Sequence, residues 1–424
     1  MRSLQKGRRA PGKGEPAARS IPIGHADLDD GLAFALRLVQ VLLAHGVPVH
    51  RVQEAASRAA IALGFEIVVF AVPTGAFITL GRDGEFRTRV VPSLPVDIDL
   101  ERLAAIHTVL KRVEHQSLDP AAAILRIDTL IGTRSRYGAL STLFGFGMAS
   151  LSFSMLLRGG WVEMCLGGGF GLFVGSLTLL AARSDVIARL LPAIAALAIS
   201  TMTAIAGALI TVRPEILLLS ALVILLPGLS LTDGVIELAT GNLLSGTARI
   251  MGATVTFLQM GFGALLGQRL AVEMPQAAGL LSTPPAEAWG LLVPILASLA
   301  FVCVLKIGPK DVPWVFIAVF TAIGTVRTLG PTLGPEIGAL LGGFTVALLS
   351  HFYVRKVDRP AVVVSIPGIL ILVPGTMGFL TLSSLLESDV VGAVNTAFSM
   401  LMVAMAIATG VLVATLAYPP RRAL

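Results

Sequence analysis

Two carboxylates that follow a Pro-Gly pair are the residues best placed to do chemistry in this chain. An apolar run ends at Pro227-Gly228, and Asp233 and Glu237 come shortly after it. Their four-residue spacing puts both acids on one face of a helix, together with Thr240. An acid inside a membrane costs roughly 3 kcal/mol by insertion scales, which points to binding of an ammonium group or a proton. The alternative is a solvated surface helix after an apolar span, on which the two acids have no special role.

Two further Pro-Gly pairs, at 367-368 and 374-375, lie in another apolar run, without acids at the corresponding positions after them. A helix broken at membrane depth frees backbone amides, and these favour an anion such as a carboxylate. Two ordinary proline kinks are the alternative. The polar segment 232–247 is too polar to span a membrane, so it either re-enters the bilayer or lies on it. The further candidates are Asn242, Pro374, Gly375, Thr376 and Asn395.

The composition indicates a helical protein with many membrane spans. The chain has 424 residues, of which 55% are hydrophobic and 14% charged, and its mean hydropathy is +0.84. A soluble protein carries about 25% charged residues. Basic loops on the cytoplasmic side explain the net charge of +6. We therefore expect the lipid bilayer, and not nucleic acid, as the partner. Cys165 and Cys303 lie alone in apolar segments, so we expect no disulfide, metal site or cofactor.

The first part of the chain differs from the rest. Residues 1–25 predict a disordered basic tail, and residues 26–136 predict a small α+β domain on the cytosolic side. Helical patterns cover 26–44, 48–63, 98–116 and 121–131. Strand patterns cover 66–72, 76–80 and 85–91, with a hairpin turn at Arg82-Asp83-Gly84.

From residue 137 onward the chain predicts ten spans in two groups of five, within 137–272 and 285–418. Glu163, at the start of the second span, is expected at the membrane interface. The spans are predicted at 138–157, 161–182, 190–211, 214–231, 251–270, 286–305, 312–329, 333–353, 360–382 and 392–417.

The distribution of Lys and Arg between the loops supports this count. With the N-terminus inside, twelve basic residues fall in inner loops and four in outer loops, so both termini are predicted in the cytoplasm of a multi-pass cell (inner) membrane protein. The outer four are Arg158, Arg213, Arg269 and Arg327.

A shift of 147 residues relates the two groups of spans. It places Pro227-Gly228 on Pro374-Gly375 and Gly263 on Gly410. Because each group has an odd number of spans, the two copies must cross the bilayer in opposite directions. Inverted repeats with a site at their interface are typical of secondary transporters.

Other functional classes have less support. The sequence has no P-loop, no G-x-S-x-G elbow and no H-E-x-x-H motif. A membrane-anchored hydrolase that uses the N-terminal domain, or a passive small-solute channel, stays open as an alternative.

The motifs resemble those of the threonine/serine exporter family in a fused, two-half form. The likeness is carried by LLAHGVPVHRVQEAASRAAIALGFEIVVFAVPTG from Leu42, LLPGLSLTDGVIELATGNLLSGTARI from Leu225 and SIPGILILVPGTMGFLTL from Ser365. The resemblance implies a cytosolic N-terminal domain, ten spans and export of threonine and serine driven by the proton-motive force. A small amino acid and protons are then the expected ligands, and a homo-oligomer stays open.

Overall fold

The computed structural model describes residues 27–94, 96–271, 277, 283, 290–386 and 389–419. The predicted disordered tail at 1–25 lies outside the described residues. Within them, the chain divides into an α+β part that ends near Gly132 and a helical part that begins at Ala139.

The N-terminal part contains four helices and three strands. Its helices are α1 (Leu28–Ala44), α2 (Val49–Ala62), α3 (Leu100–Glu114) and α4 (Pro120–Gly132). Its strands are β1 (Glu66–Val72), β2 (Gly75–Arg82) and β3 (Glu85–Pro92), which form an antiparallel sheet in the order β1-β2-β3. Asp83 and Gly84 both have positive φ in the turn between β2 and β3, as a two-residue hairpin loop requires.

The core of this part lies on one face of the sheet. Ala76, Ile78 and Leu80 alternate along β2 and are buried with apolar residues of α1, α2 and α3. Phe70 and Phe77 point to the opposite face and stay exposed. The period of two in the strands therefore separates a helix-covered face from an open one.

Twelve more helices follow in the described part of the chain. They are α5 (Ala139–Leu156), α6 (Trp161–Ala181), α7 (Asp185–Leu209), α8 (Pro214–Leu222), α9 (Gly228–Ala239), α10 (Leu243–Leu270), α11 (Leu292–Val304), α12 (Val312–Leu333), α13 (Pro335–Val357), α14 (Val362–Leu372), α15 (Gly375–Leu386) and α16 (Val390–Ala417).

Eight segments of the described residues are helical, long and apolar enough to cross a membrane. They correspond to α5, α6, α7, α10, α12, α13, the segment Val362–Thr381 and α16. The protein is therefore a polytopic helical membrane protein. The predicted fourth span falls on two short helices, α8 and α9, and the sixth falls on the 13-residue α11 together with residues outside the described ones. The count of ten stays a prediction.

Glycines set the closest helix packing in the membrane part. Gly263 of α10 faces α7, where a Cβ would collide with the carbonyl oxygen of Ala193 and lie 3.1 Å from the backbone nitrogen of Leu197. Gly410 of α16 faces α13 in the same way, against the carbonyl oxygen of Leu340. Small residues allow this approach of backbones, which drives helix association in lipid.

The N-terminal part docks on the end of α11. The backbone N–H groups of Leu100 and Glu101 donate to the carbonyls of Leu305 and Lys306, both at 3.0 Å. The first turn of α3 thereby satisfies carbonyls that the end of α11 leaves free. Lys111 also forms an ion pair with Asp358, so the two parts meet through hydrogen bonds and charge.

Candidate functional site

Two of the three Pro-Gly pairs in the apolar runs, Pro227-Gly228 and Pro374-Gly375, meet within the membrane part. The predicted break at Pro367-Gly368 is wrong, because both residues lie inside the continuous helix α14. α8 ends at Leu222 and α9 begins at Gly228, while α14 ends at Leu372 and α15 begins at Gly375. A Cβ on Gly228 would lie 3.2 Å from the Cα of Gly375 and would collide with the side chain of Val373. Two broken helices therefore touch at their breaks, and only glycine permits that contact.

Two helix N-termini converge at this contact, since α9 and α15 both start there. The first N–H groups of a helix have no partner within it, and the N-terminal end of the helix dipole is positive. Thr376 lies in the first turn of α15, is partly buried, and makes no side-chain hydrogen bond among the described residues. Pro374 and Gly375 are buried, and Pro227 is partly buried. The crossing thus has the character of an anion site.

Asp233 and Thr232 lie near the middle of α9 without partners. The Asp233 carboxylate is partly buried and makes no hydrogen bond or ion pair within the described residues. The Thr232 hydroxyl is fully buried and also lacks a partner there. An unpaired buried hydroxyl is costly, which makes this stretch of α9 ready to receive a polar ligand.

Glu237 differs from Asp233, because its carboxylate is fully buried and fully occupied. The Arg249 guanidinium donates to both oxygens at 3.1 Å, and the Ser245 hydroxyl donates at 2.5 Å. The third donor comes from the N-terminal part, where the backbone N–H of Val49 reaches Oε1 at 3.0 Å. The carboxylate therefore joins α9, α10 and the first turn of α2.

These groups follow one another along a single helix. At about 1.5 Å rise per residue, Asp233 lies about 7.5 Å from Gly228 along α9, and Glu237 lies about 6 Å further. Along α9 from its N-terminus, the contact at Gly228 comes first, the unpaired Asp233 second, and Glu237, which binds the N-terminal part, third. The four-residue spacing read from the sequence thus separates two acids with different surroundings.

Three other candidates lie away from the crossing. The Thr240 hydroxyl donates to the carbonyls of Ile236 and Glu237 at the end of α9, and the Asn242 amide donates to Thr240. These bonds shape the turn into α10. Asn395 is exposed on α16 and makes no side-chain hydrogen bond within the described residues.

The structure also shows buried acids that the sequence patterns missed. The interfacial position of Glu163 stays a prediction, and the structure adds that its carboxylate is fully buried and accepts from the backbone N–H groups of Gly160 at 2.9 Å and Arg213 at 3.2 Å. Asp311, at the start of α12, is equally buried and holds the Tyr353 hydroxyl at 2.7 Å.

A cation accompanies each of these two acids. The Arg213 guanidinium is 3.7 Å from Glu163, and Arg359 forms an ion pair with Asp311. The sequence carried one signal, since each arginine directly precedes a proline. Pro214 opens α8, and Pro360 lies two residues before α14.

His50 borders the docking acid on the side of the N-terminal part. It follows Val49 in α2, and its buried Nδ1 has no partner among the described residues. Burial lowers the pKa of His50 to about 4, and the charges of Arg51 and Arg249 act in the same direction. The described residues contain no group of three or more His, Cys, Asp or Glu side chains that could hold a metal ion.

The broken helices, small-residue packing and unpaired polar groups are features of membrane transporters. Comparison with protein families agrees with this class. The family described as "Putative threonine/serine exporter" matches residues 33–271, and the family described as "Threonine/Serine exporter, ThrE" matches residues 291–417. The chain belongs to the threonine/serine exporter family, and it carries both halves in one polypeptide.

Several fungal proteins are also similar to this chain. "Pheromone-regulated membrane protein 10" of Candida albicans is 25% identical over 87% of this chain and 34% of its own length. An uncharacterized protein of Schizosaccharomyces pombe is 26% identical over 84% of this chain and 48% of its own length. The chain thus spans between a third and a half of these relatives. No solved structure matches it.

Proposed function

We propose that this protein is a secondary active transporter that exports small amino acids, with threonine and serine as the substrate class, in exchange for protons. The observation that carries the proposal is the contact between the two broken helices at Gly228 and Gly375, beside an unpaired carboxylate on one of them. The family supports the substrate class.

The proposed site has one region for each charge of an amino acid. The converging N-termini of α9 and α15 supply free N–H groups and positive dipole ends, which suit the substrate carboxylate. Asp233 supplies a negative charge. This charge binds either the ammonium group of the substrate or the proton that moves in the opposite direction. The Thr232 and Thr376 hydroxyls are available to a hydroxyl on the substrate.

We further propose that the membrane part consists of ten helical spans in two inverted repeats related by 147 residues. Gly263 meets the backbone of Ala193 and Leu197, and Gly410 meets that of Leu340 and Phe344. Each of these contacts maps on the other by the same shift of 147. The same shift turns Gly228 into Gly375, which supports a pseudo-two-fold axis through their contact.

Alternating access then consists of rocking one repeat against the other about this axis. The N-terminal domain docks on Glu237 and covers the end of α9. In this proposal the structure therefore corresponds to a state in which the site is closed towards the cytoplasm. Both termini lie in the cytoplasm in this proposal, with the N-terminal domain on the inner face of the cell membrane. Export begins with release of the Val49–Glu237 contact.

Transport in proteoliposomes tests the site. Vesicles that contain the full chain are loaded with labelled threonine, a pH gradient is imposed, and efflux is compared between the natural chain, Asp233→Asn and the control Asp185→Asn. Asp185 is an exposed acid in the first turn of α7. We expect gradient-driven efflux to fall at least tenfold in Asp233→Asn and to persist in the control.

The outcomes separate the parts of the proposal. Unchanged gradient-driven efflux in a folded Asp233→Asn protein would remove the role of this acid. Efflux that does not saturate with threonine concentration and does not depend on the pH gradient would indicate a passive channel and not a proton-coupled exporter. Absence of threonine and serine flux in the folded natural chain would overturn the substrate class.

A further inference from the structure

A cavity of about 610 Å³ lies between the N-terminal part and the membrane part, away from the helix crossing. One wall is a face of α3, and the opposite wall is the loop that joins α11 to α12. Residues 101, 104, 105, 108 and 112 recur with helical spacing along that face of α3. The small side chains of Ala104 and Ala105 leave the space open.

Basic side chains dominate the charged groups that line this cavity. Five cations face one carboxylate, that of Glu101, and they come from α3, α4, the segment before α5, the loop before α12, and the loop before α14. The five are Arg112, Arg126, Arg136, Lys310 and Arg359.

Three of the five cations have no carboxylate partner. Arg359 is paired with Asp311, and Arg136 lies 3.7 Å from Glu101. Arg112, Arg126 and Lys310 form no ion pair or side-chain hydrogen bond within the described residues. All three are exposed, so solvent screens their repulsion, and each is available to an anion that enters the cavity.

The walls of the cavity are held in place by other contacts. The first turn of α3 is bonded to the end of α11 through Leu100 and Glu101. The Tyr137 hydroxyl donates to the carbonyl of Ile307, next to the loop residue Gly308. The cations are therefore brought together by the fold and not by their own attraction.

We propose that this cavity binds a phosphate-bearing anion. Arginine guanidinium groups suit phosphate oxygens because their N–H groups form a planar fork. The volume is in the range of small-molecule sites and exceeds the need of a single inorganic ion. The same chemistry is offered by soluble phosphate esters and by the headgroups of anionic phospholipids. An anion bound here links α3 and α4 to the starts of α12 and α14.

Thermal stability of the full chain in nanodiscs tests this site with inorganic pyrophosphate as the probe. The nanodiscs contain phosphatidylcholine, and chloride keeps the ionic strength constant. We expect the Tm to rise with pyrophosphate concentration. The variant Arg112→Gln/Arg126→Gln should weaken the apparent Kd at least tenfold. The control Arg183→Gln/Arg189→Gln removes two exposed cations, one between α6 and α7 and one in α7, and its response should match that of the natural chain.

Nanodiscs with phosphatidylglycerol distinguish the two sources of phosphate. If a headgroup fills the cavity, this lipid alone raises the Tm of the natural chain and abolishes its response to pyrophosphate. If a soluble ester fills it, the response to pyrophosphate persists in both lipids. Both results support the proposal, provided that the double variant loses the effect. Lys310→Gln serves as the second variant if the double variant does not fold.

Two results would overturn the proposal. One is the absence of any stabilisation by pyrophosphate and by phosphatidylglycerol in the folded natural chain. The other is stabilisation that is equal in the natural chain and in the cavity variants, which would leave these cations as ordinary loop charges.

Discussion

Gly228 and Gly375 lie against each other, with the place of a Cβ on Gly228 only 3.2 Å from the Cα of Gly375. They are 147 residues apart and occupy the same position in their Pro-Gly pairs. In the inverted repeat that we propose, each of these glycines is the counterpart of the other. Their contact then lies on the proposed axis between the two halves.

Gly228→Ala should disturb this crossing and reduce transport. The added methyl group meets Val373 and the backbone of Gly375, and overpacking of a tight interior typically costs about 1–3 kcal/mol. Threonine efflux and Tm are both measured. Gly252→Ala is the matched control in α10, since a Cβ there has open space around it. Normal efflux in Gly228→Ala would mean that the contact between the two helix breaks can accommodate a methyl group.

Glu237→Gln should destabilise the docking of the N-terminal domain. The change leaves Arg249 without its counter-charge, and breaking a buried ion pair costs roughly 3–5 kcal/mol. Hydrogen exchange at the first turn of α2 should increase, because the bond from Val49 to Oε1 weakens. In Asp233→Asn, by contrast, exchange in α2 should stay as in the natural chain. Equal exchange in both variants would remove the docking role of Glu237.

Glu163→Gln and Asp311→Asn should each lower the Tm, since each carboxylate is buried with an arginine. The expected loss is again about 3–5 kcal/mol for each broken pair. Glu215→Gln is the control, because Glu215 is exposed in the first turn of α8. If the two variants have the same Tm as the control, the buried ion pairs make no net contribution to the free energy of unfolding.

Stability of the docked domain should fall as the pH is lowered from about 6.5 to about 4. The pKa of His50 is about 4 in the folded chain against its ordinary 6.5, so the unfolded chain takes up the proton first. The contribution of neutral His50 to the free energy of unfolding is complete above pH 6.5, and it is lost as the pH falls towards about 4. It amounts to at most about 3 kcal/mol.

His50→Gln should flatten this pH dependence of the Tm, whereas a change at the exposed His115 should not. Protonated His50 would add a charge beside Arg51 and Arg249, which is why the folded state resists it. An unaltered pH profile in His50→Gln would assign the effect to another group.

Residue patterns were sufficient for most local structure. The apolar runs predicted helices long enough to cross a membrane, and the alternation around Asp83-Gly84 predicted a hairpin that the structure contains. The patterns did not reveal which polar groups are buried. Glu163 lies in the first turn of an apolar helix, and its carboxylate is buried because the N-cap residue Gly160 and the distant Arg213 both supply donors.

The sequence by itself determined that this protein is a helical membrane protein with Pro-Gly pairs in two of its apolar runs and two acids after the first pair, since hydropathy and helical spacing are local properties. Only the tertiary structure decided that the breaks touch, that Glu237 is engaged by Val49 and Arg249, and that Asp233 is left free. Partners of a buried charge come from distant parts of the chain, and no spacing along one helix encodes them.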